Sequence, residues 1–281
     1  WIGGITHVVQ VGDILDRNTC LKAFSHHPDV VIHLATYPRA KIVDNDPIVG
    51  IPKVIHTTTN LLWHASKFGV SKFVYVSSSM VYGDFHNKAP DEDVIPKPNT
   101  LYGSYKRQGE IMCKIWHREH GLDYVIMRPS ALYGEKDTIT RVISQMLKSV
   151  LTKGEMTVQG PDNKLDFSNV LDVAKYFTLA TTTEITNETF NCTRGHGRKI
   201  MEAAELIKSK LGTGKIITKP HDTFYPNRDT LNSDKAKSMF NFNPQIDIDE
   251  GIPNYINWFL QQPFYFDNLN INKEFPLGTK I

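Results

Sequence analysis

Tyr102 and Lys106 stand four residues apart in the stretch Tyr102-Gly-Ser-Tyr-Lys106. On a helix that spacing puts both side chains on one face, separated by about 6 Å of rise. An ammonium beside a phenol favours the phenolate, so the lysine draws an otherwise poor base toward working pH. Ser77 and Ser78 lie upstream, at the end of Lys72-Phe-Val-Tyr-Val-Ser77, which reads as a strand. A serine at a strand end can hydrogen-bond the same substrate oxygen that the phenolate deprotonates. Such a trio suits removal of a proton from an alcohol or sugar hydroxyl while a hydride leaves the carbon for a nicotinamide.

The elements that must hold this trio in register follow an alternating pattern. Val8-Val-Gln-Val11 reads as a strand, Gly12-Asp13 as a turn and residues 18–25 as a helix. Val30-Val-Ile-His-Leu-Ala35 is a nearly unbroken apolar run, as expected of a parallel strand buried on both faces. A helix through Asn60-Leu-Leu-Trp-His-Ala65 precedes the strand over 72–77. The polar loop Gly83 to Thr100, with three prolines, leads into the helix of Tyr102 and Lys106. That helix is expected to run to about His120, where Gly121 stops it. A strand over 124–129 follows. The βαβαβ alternation predicts an α/β fold with a doubly wound parallel sheet. After Gly134, helices are expected near 138–152, 170–182, 198–211 and 250–261, with an extended piece over 188–191 between them. They predict a smaller α/β lobe over the C-terminal ends of the strands, where open sheets bind ligands.

Bulk composition excludes several classes of function. The 281 residues carry a formal charge of +2 from 32 basic and 30 acidic side chains, which is no footprint for nucleic acid or an anionic membrane. No apolar run approaches the length of a bilayer span, and Trp1-Ile-Gly-Gly-Ile lacks the pattern of a signal peptide. Cys20, Cys113 and Cys192 are odd in number and far apart, as expected of packing residues in a reducing compartment. A cytoplasmic protein is the expectation, and the two matches to the glycosylation pattern at Asn187 and Asn191 are read as coincidence. His117 and His120, near a helix end, lack convergent ligands, so no metal site is expected. Gly212-Thr-Gly-Lys215 lacks the spacing of a phosphate loop and reads as a polar turn.

Several motifs in one order resemble the extended short-chain dehydrogenase/reductases, in particular the NAD-dependent epimerase/dehydratase branch that acts on nucleotide sugars. Gly12-Asp13-Ile-Leu-Asp16 resembles a GDxxD turn, Ile32-His-Leu-Ala35 an HxAA strand end, and Ser77-Ser-Ser-Met-Val-Tyr-Gly83 an SSxxVYG segment. Arg128-Pro-Ser-Ala-Leu-Tyr-Gly134 resembles RPxNxYG, and Leu165 to Asp172 resembles RDFxxVxD. Pro226-Asn-Arg228-Asp-Thr-Leu231 with Ser233 to Lys237 resembles a closing PxRGxL…SKAK segment. The resemblance implies Ser78, Tyr102 and Lys106 as the catalytic set. It implies cofactor contacts at Asp13 (toward the adenine amino group), Ile14, Ala35, Tyr102, Lys106 and Pro129. Substrate contacts are implied at Ser79 and Arg228, the latter pairing with a nucleotide diphosphate.

The implied cofactor is NAD, with NADP as the alternative, and the implied partners are a nucleotide-sugar substrate and a second copy of the chain in a homodimer. The implied division is a Rossmann-like dinucleotide-binding domain over 1–134 to which 166–194 returns, and a substrate-binding lobe over 135–165 and 195–281. Met80 occupies the place before Val81-Tyr82-Gly83 where dehydratases and decarboxylases of the family carry Glu. A thioether transfers no protons, which favours an epimerase, oxidoreductase or reductase over a 4,6-dehydratase. An epimerase is the expectation, with a reductase, dehydrogenase or dehydratase as the alternative. Three positions depart from the pattern: Val54 for a helix Asn, Ala131 for the Asn of RPxNxYG, and Leu165 for the Arg of RDF. The GxxGxxG turn that cradles a pyrophosphate is not matched by Gly3, Gly4 and Gly12. The expectation is therefore an N-terminally truncated Rossmann-like unit. A degenerate, non-catalytic binding protein is the rival of another class.

Overall fold

Asp16 starts the first helix by turning its carboxylate onto the N–H groups of Asn18 and Thr19, a side-chain cap for donors that have no partner inside the helix. The computed structural model describes residues 8–36, 40–85, 88–137 and 141–262. In chain order these form α1 (Arg17–Phe24), β1 (Val30–His33), α2 (Ala40–Asn45) and α3 (Pro47–Ile51). A π-helical turn, Pro52–His56, leads into α4 (Thr57–Lys67), β2 (Lys72–Val76), α5 (Leu101–His120) and β3 (Asp123–Arg128). Then come β4 (Ala131–Tyr133), α6 (Val142–Lys153), β5 (Glu155–Gln159), β6 (Lys164–Asn169), α7 (Val170–Thr182) and β7 (Glu188–Asn191). The series closes with β8 (Gly197–Lys199), α8 (Ile200–Leu211), β9 (Lys215–Lys219), α9 (Asp234–Met239) and α10 (Ile248–Leu260). No described helix is long and apolar enough to cross a membrane.

Each helix expected from the sequence is present, with ends moved by a few residues. The helix expected over 138–152 starts at Val142, and 138–140 lie outside the described residues. The strand expected at Val8–Val11 is not formed. Its backbone is irregular, and Val8, Val9 and Val11 are 69%, 74% and 85% exposed. A strand needs a neighbour for its N–H and C=O groups, and among the described residues the sheet begins at β1. The Gly3 and Gly4 of the glycine-motif comparison lie outside the described residues.

The chain forms two compact units. The first comprises 1–81, 96–128 and 178–190, the second 82–95, 129–177 and 191–281. The first is built on a sheet of order β1-β2-β3-β7. β1 and β2 run parallel with Val30 opposite Lys72, and β2 and β3 run parallel with Lys72 opposite Asp123. Phe73, Tyr75 and Ile126 from the strands and Leu62 and Ala65 from α4 are fully buried in one cluster. α5 comes unusually close to this sheet: a Cβ on Gly109 would lie 2.2 Å from the Tyr75 hydroxyl, so only glycine fits there.

The π-helical turn has a local cause. Pro52 has no N–H to continue the ladder of α3. Three threonines mend the irregular turn from the next element: Thr57 Oγ1 donates to Lys53 O at 3.0 Å, Thr58 to Val54 O at 2.6 Å and Thr59 to Ile55 O at 2.9 Å.

In the second unit β4 and β6 pair in parallel, β6 and β8 antiparallel, and β5 and β9 in parallel. α6, α8 and α10 bury Leu147, Val150, Ala203, Ile207, Ile252, Ile256 and Phe259 in one cluster with Met156 and Val158 of β5. Gly212, left-handed at φ 67°, ends α8; the polar turn read at Gly212 to Lys215 covers 212–214, and Lys215 opens β9.

Candidate active site

Ser78, Tyr102 and Lys106 all belong to the first unit, Ser78 just past β2 and the other two on α5. α5 begins at Thr100, whose Oγ1 accepts the Gly103 N–H at 3.1 Å. Asp44 of α2 adds a second cap, with its two oxygens on the N–H groups of Leu101 at 2.9 Å and Tyr102 at 3.1 Å. Gly103 sits against the backbone of Met80, whose carbonyl oxygen would be 2.5 Å from a Cβ at that position. The first turn of α5 is thus pressed onto the 3-10 turn Ser79–Tyr82 that follows Ser78.

Tyr102 and Lys106 are both buried, at 8% and 2% exposure, on the inward face of α5. The Lys106 ammonium lies 6.0 Å from the centre of the Tyr102 ring and 5.1 Å from that of Tyr75. It donates to Val76 O, the last carbonyl of β2, at 2.7 Å. Burial pulls the Lys106 pKa down to about 7, while the negative charge of Glu110 pulls it up. Ser78 is half-buried, and its Oγ accepts the Met80 N–H at 3.2 Å. Ser79, expected to touch substrate, is buried at 1% exposure and opens the 3-10 turn.

Asp13, Ile14 and Ala35 line one pocket of about 510 Å³ together with Gly12, Thr36, Lys53 and Thr57. Asp13 accepts the Leu15 N–H at 2.9 Å and pairs with Lys53 at 2.9 Å. Those two contacts, the backbone bond first, hold its pKa below the usual carboxylate value. Thr36 Oγ1 is buried with no hydrogen-bond partner among the described residues. An orphaned hydroxyl in a pocket of ligand size fits a bound group rich in hydroxyls and phosphates, such as a dinucleotide. Lys53 and Thr57 were not singled out from the sequence. They flank Val54, and the π-helical turn, which no periodicity reveals, directs this stretch to the pocket.

Pro129 and Arg228 belong to the second unit. Arg228 lies in a loop pinned on both sides. Asn227 N donates to Asp84 Oδ1 at 2.6 Å and Leu231 N to Asp166 Oδ2 at 3.2 Å. The guanidinium is half-buried, with Nε shielded and without a hydrogen-bond partner among the described residues. Burial lowers its pKa. A guanidinium pulled from water in a rigid loop calls for an anion.

Glu110 and Arg128 also escaped sequence reading as parts of the site. Glu110 follows Lys106 by four residues on the same helix face, and that periodicity was the available signal. An acid on an otherwise buried face must find a cation, and Arg128 Nε and Nη2 each reach it at 2.8 Å. Ser77, just past β2, donates to Glu110 Oε1 at 2.6 Å.

Comparison with known proteins adds an independent line. Residues 5–193 match the NAD dependent epimerase/dehydratase family. A putative UDP-glucose 4-epimerase of Methanocaldococcus jannaschii is 31% identical over 254 residues, covering 88% of this chain and 82% of that protein. A dTDP-glucose 4,6-dehydratase of Streptomyces niveus is 24% identical over 261 residues, covering 92% of this chain and 77% of that protein. The crystal structure of UDP-glucose 4-epimerase from Thermotoga maritima with UDP-glucose superposes with a TM-score of 0.84 at 26% identity, covering 89% of this chain and 83% of that one.

Proposed function

Because the chain belongs to the NAD dependent epimerase/dehydratase family, we propose that it is an NAD-dependent epimerase of a nucleotide sugar. The observation that carries this reading is Tyr102 and Lys106 on the inward face of α5, beside a strand end where Met80 replaces the Glu of a dehydratase. Asp13, Ile14, Ala35 and Thr36 would hold the adenosine side of NAD in their pocket, which Lys53 also lines. Lys106 would hold the nicotinamide ribose, and Pro129 would add a cofactor contact. When bound, NAD supplies the acceptor and later the donor of a hydride.

The chain's own groups manage the proton. Tyr102, as phenolate, takes it from the sugar hydroxyl. The Lys106 ammonium stabilises that phenolate, and Ser78 Oγ donates to the sugar oxygen as it becomes a carbonyl. When the keto sugar has presented its other face, Tyr102 returns the proton to the same oxygen. A positioned base of this kind contributes about 10²–10⁴-fold. Arg228 grips the nucleotide diphosphate. Met80 can neither deliver nor remove a proton, which stops the chemistry short of losing water. The reading includes a homodimer through α4 and α5, supported by Ile111 and Ile115, 42% and 39% exposed one turn apart on α5.

The test is to incubate the protein with NAD and a panel of UDP- and dTDP-hexoses, and to analyse the sugars by NMR. An epimer with no net change in reduced-nicotinamide absorbance supports the reading. A 4-keto-6-deoxy product would replace it with a dehydratase, and stoichiometric nicotinamide turnover with a reductase or dehydrogenase. Binding without turnover of any sugar would leave the non-catalytic alternative.

A further inference from the structure

Glu110 sits on α5 one turn beyond Lys106 and two beyond Tyr102, with no exposed surface. Four donors converge on its two oxygens. Oε1 accepts Ser77 Oγ at 2.6 Å and Arg128 Nε at 2.8 Å. Oε2 accepts Arg128 Nη2 at 2.8 Å and Arg107 Nη1 at 2.8 Å. They come from three places: Ser77 just past β2, Arg128 at the end of β3, and Arg107 on α5 itself.

A carboxylate removed from water is tolerable only while its donors stay in place. Sliding α5 along the sheet would strip Ser77 and Arg128 from Glu110 and leave charges buried and unpaired. The two-pronged grip of Arg128 fixes direction as well as distance. This anchor is adjacent to the chemistry. Ser77 precedes Ser78, and Lys106 Nζ is bonded to Val76 O at the same strand end. The contact of Gly109 with Tyr75 sets how closely helix and sheet approach, but apolar contact alone does not fix where along the sheet the helix stops.

We propose that Glu110 is the positioning residue of this site: clamped by Arg128 and Ser77, it sets the depth at which α5 presents Tyr102 and Lys106 to the strand end carrying Ser78. This rests on the reading of Tyr102 and Lys106 above. Glu110 itself touches no substrate and moves no proton. The groups facing Lys106 are Tyr75 on β2, His33 on β1, and Tyr102, Glu110 and Cys113 on α5. Removing Glu110 and Arg128 together deletes one charge of each sign but also the charge that holds the Lys106 pKa up. The change in Tyr102 titration that reports displacement is therefore one seen also in Ser77→Ala, which keeps both charges.

The experiment uses the full chain with NAD and compares wild type, Glu110→Leu with Arg128→Met, and Ser77→Ala. Apolar replacement of both partners of a buried ion pair tends to preserve folding. The double variant is expected to melt cooperatively and to lose about 10²-fold in kcat with KM little changed, the signature of misplacement rather than lost binding. Ser77→Ala, which removes one donor, is expected to lose up to about tenfold in kcat. A wild-type kcat in both variants, or in Ser77→Ala if the double variant does not fold, overturns the proposal.

A tyrosinate absorbance titration, taken as the difference from Tyr102→Phe, reads the same geometry without turnover. The Tyr102 midpoint is expected to rise in the variants as Lys106 moves off, and an unmoved midpoint overturns the proposal. A wild-type chain that epimerises no sugar, with the midpoint still displaced in the variants, would sink the functional reading and leave the positioning role standing.

Discussion

The Asp44 carboxylate accepts the backbone N–H of Tyr102 at 3.1 Å, so the candidate base is tied by its main chain to a helix that begins 62 residues earlier. The other Asp44 oxygen takes the Leu101 N–H at 2.9 Å. A carboxylate at a helix N-terminus meets both unsatisfied donors and the positive end of the dipole. Replacing Asp44 with Ala is expected to cost about 1 kcal/mol of stability and to lower kcat more than it raises KM. Chemical denaturation together with steady-state kinetics measures both, and a stability loss with unaltered kcat would reduce Asp44 to an ordinary cap.

Tyr102→Phe keeps the ring and removes the proton acceptor. Epimerisation is expected to fall by about 10²–10⁴-fold while NAD affinity, read by fluorescence quenching, stays near wild type. Activity within a few-fold of wild type would show that another group is the base.

Lys106 should leave a pH signature on stability. Its folded pKa is lowered to about 7 from 10.5, chiefly by burial. Below about 7 the lysine is charged in both states, and the folded state bears the full cost of burying it. Between about 7 and 10.5 the unfolded chain binds the extra proton, so this contribution to stability improves as pH rises. Lys106→Met is therefore expected to gain on the wild type in melting temperature as pH falls toward 7, and to lose that advantage toward 10.5. A pH-independent difference would show that the ammonium is not desolvated.

Arg228→Lys replaces a planar fork with a point charge. For a nucleotide-sugar substrate the expected result is KM raised about tenfold with a smaller change in kcat, and a steeper loss for Arg228→Ala. Isothermal titration with the free nucleoside diphosphate isolates the contact, and unaltered affinity would remove Arg228 from the site.

Asp166 holds the loop that carries Arg228. Fully buried, it accepts the N–H groups of Leu231 at 3.2 Å and Gly195 at 3.1 Å. Asp166→Asn turns a donor toward those donors and is expected to destabilise by about 1–3 kcal/mol, with KM rising as the loop loosens. Thermal melts paired with kinetics separate the two effects.

Repeating patterns made most of the first unit legible. The apolar runs at Val30–His33 and Lys72–Val76 became neighbouring parallel strands. Burial on both faces holds for Lys72–Val76, whereas Val30–His33, at the sheet edge, is mostly half-buried and Leu34 after it is 52% exposed. The same rule failed at Val8–Val11, where β-propensity has no adjacent strand to satisfy it. The cofactor-side residues Asp13, Ile14 and Ala35 were found through motif resemblance, and they line one pocket. Lys53 and Thr57 in that pocket were hidden by a π-helical turn, since no helical period places them there.

The sequence by itself determined the shared face of Tyr102 and Lys106, because 3.6 residues per turn is a local property of the chain. It determined the alternating order of strands and helices for the same reason. Only the tertiary structure decided how deep that face is set and what holds it there. Glu110, Arg128 and Ser77 meet across 18 and 33 residues of sequence, and Asp44 reaches Tyr102 across 58. Such contacts depend on where the chain returns in space, and burial then turns each from an ordinary polar residue into a constraint.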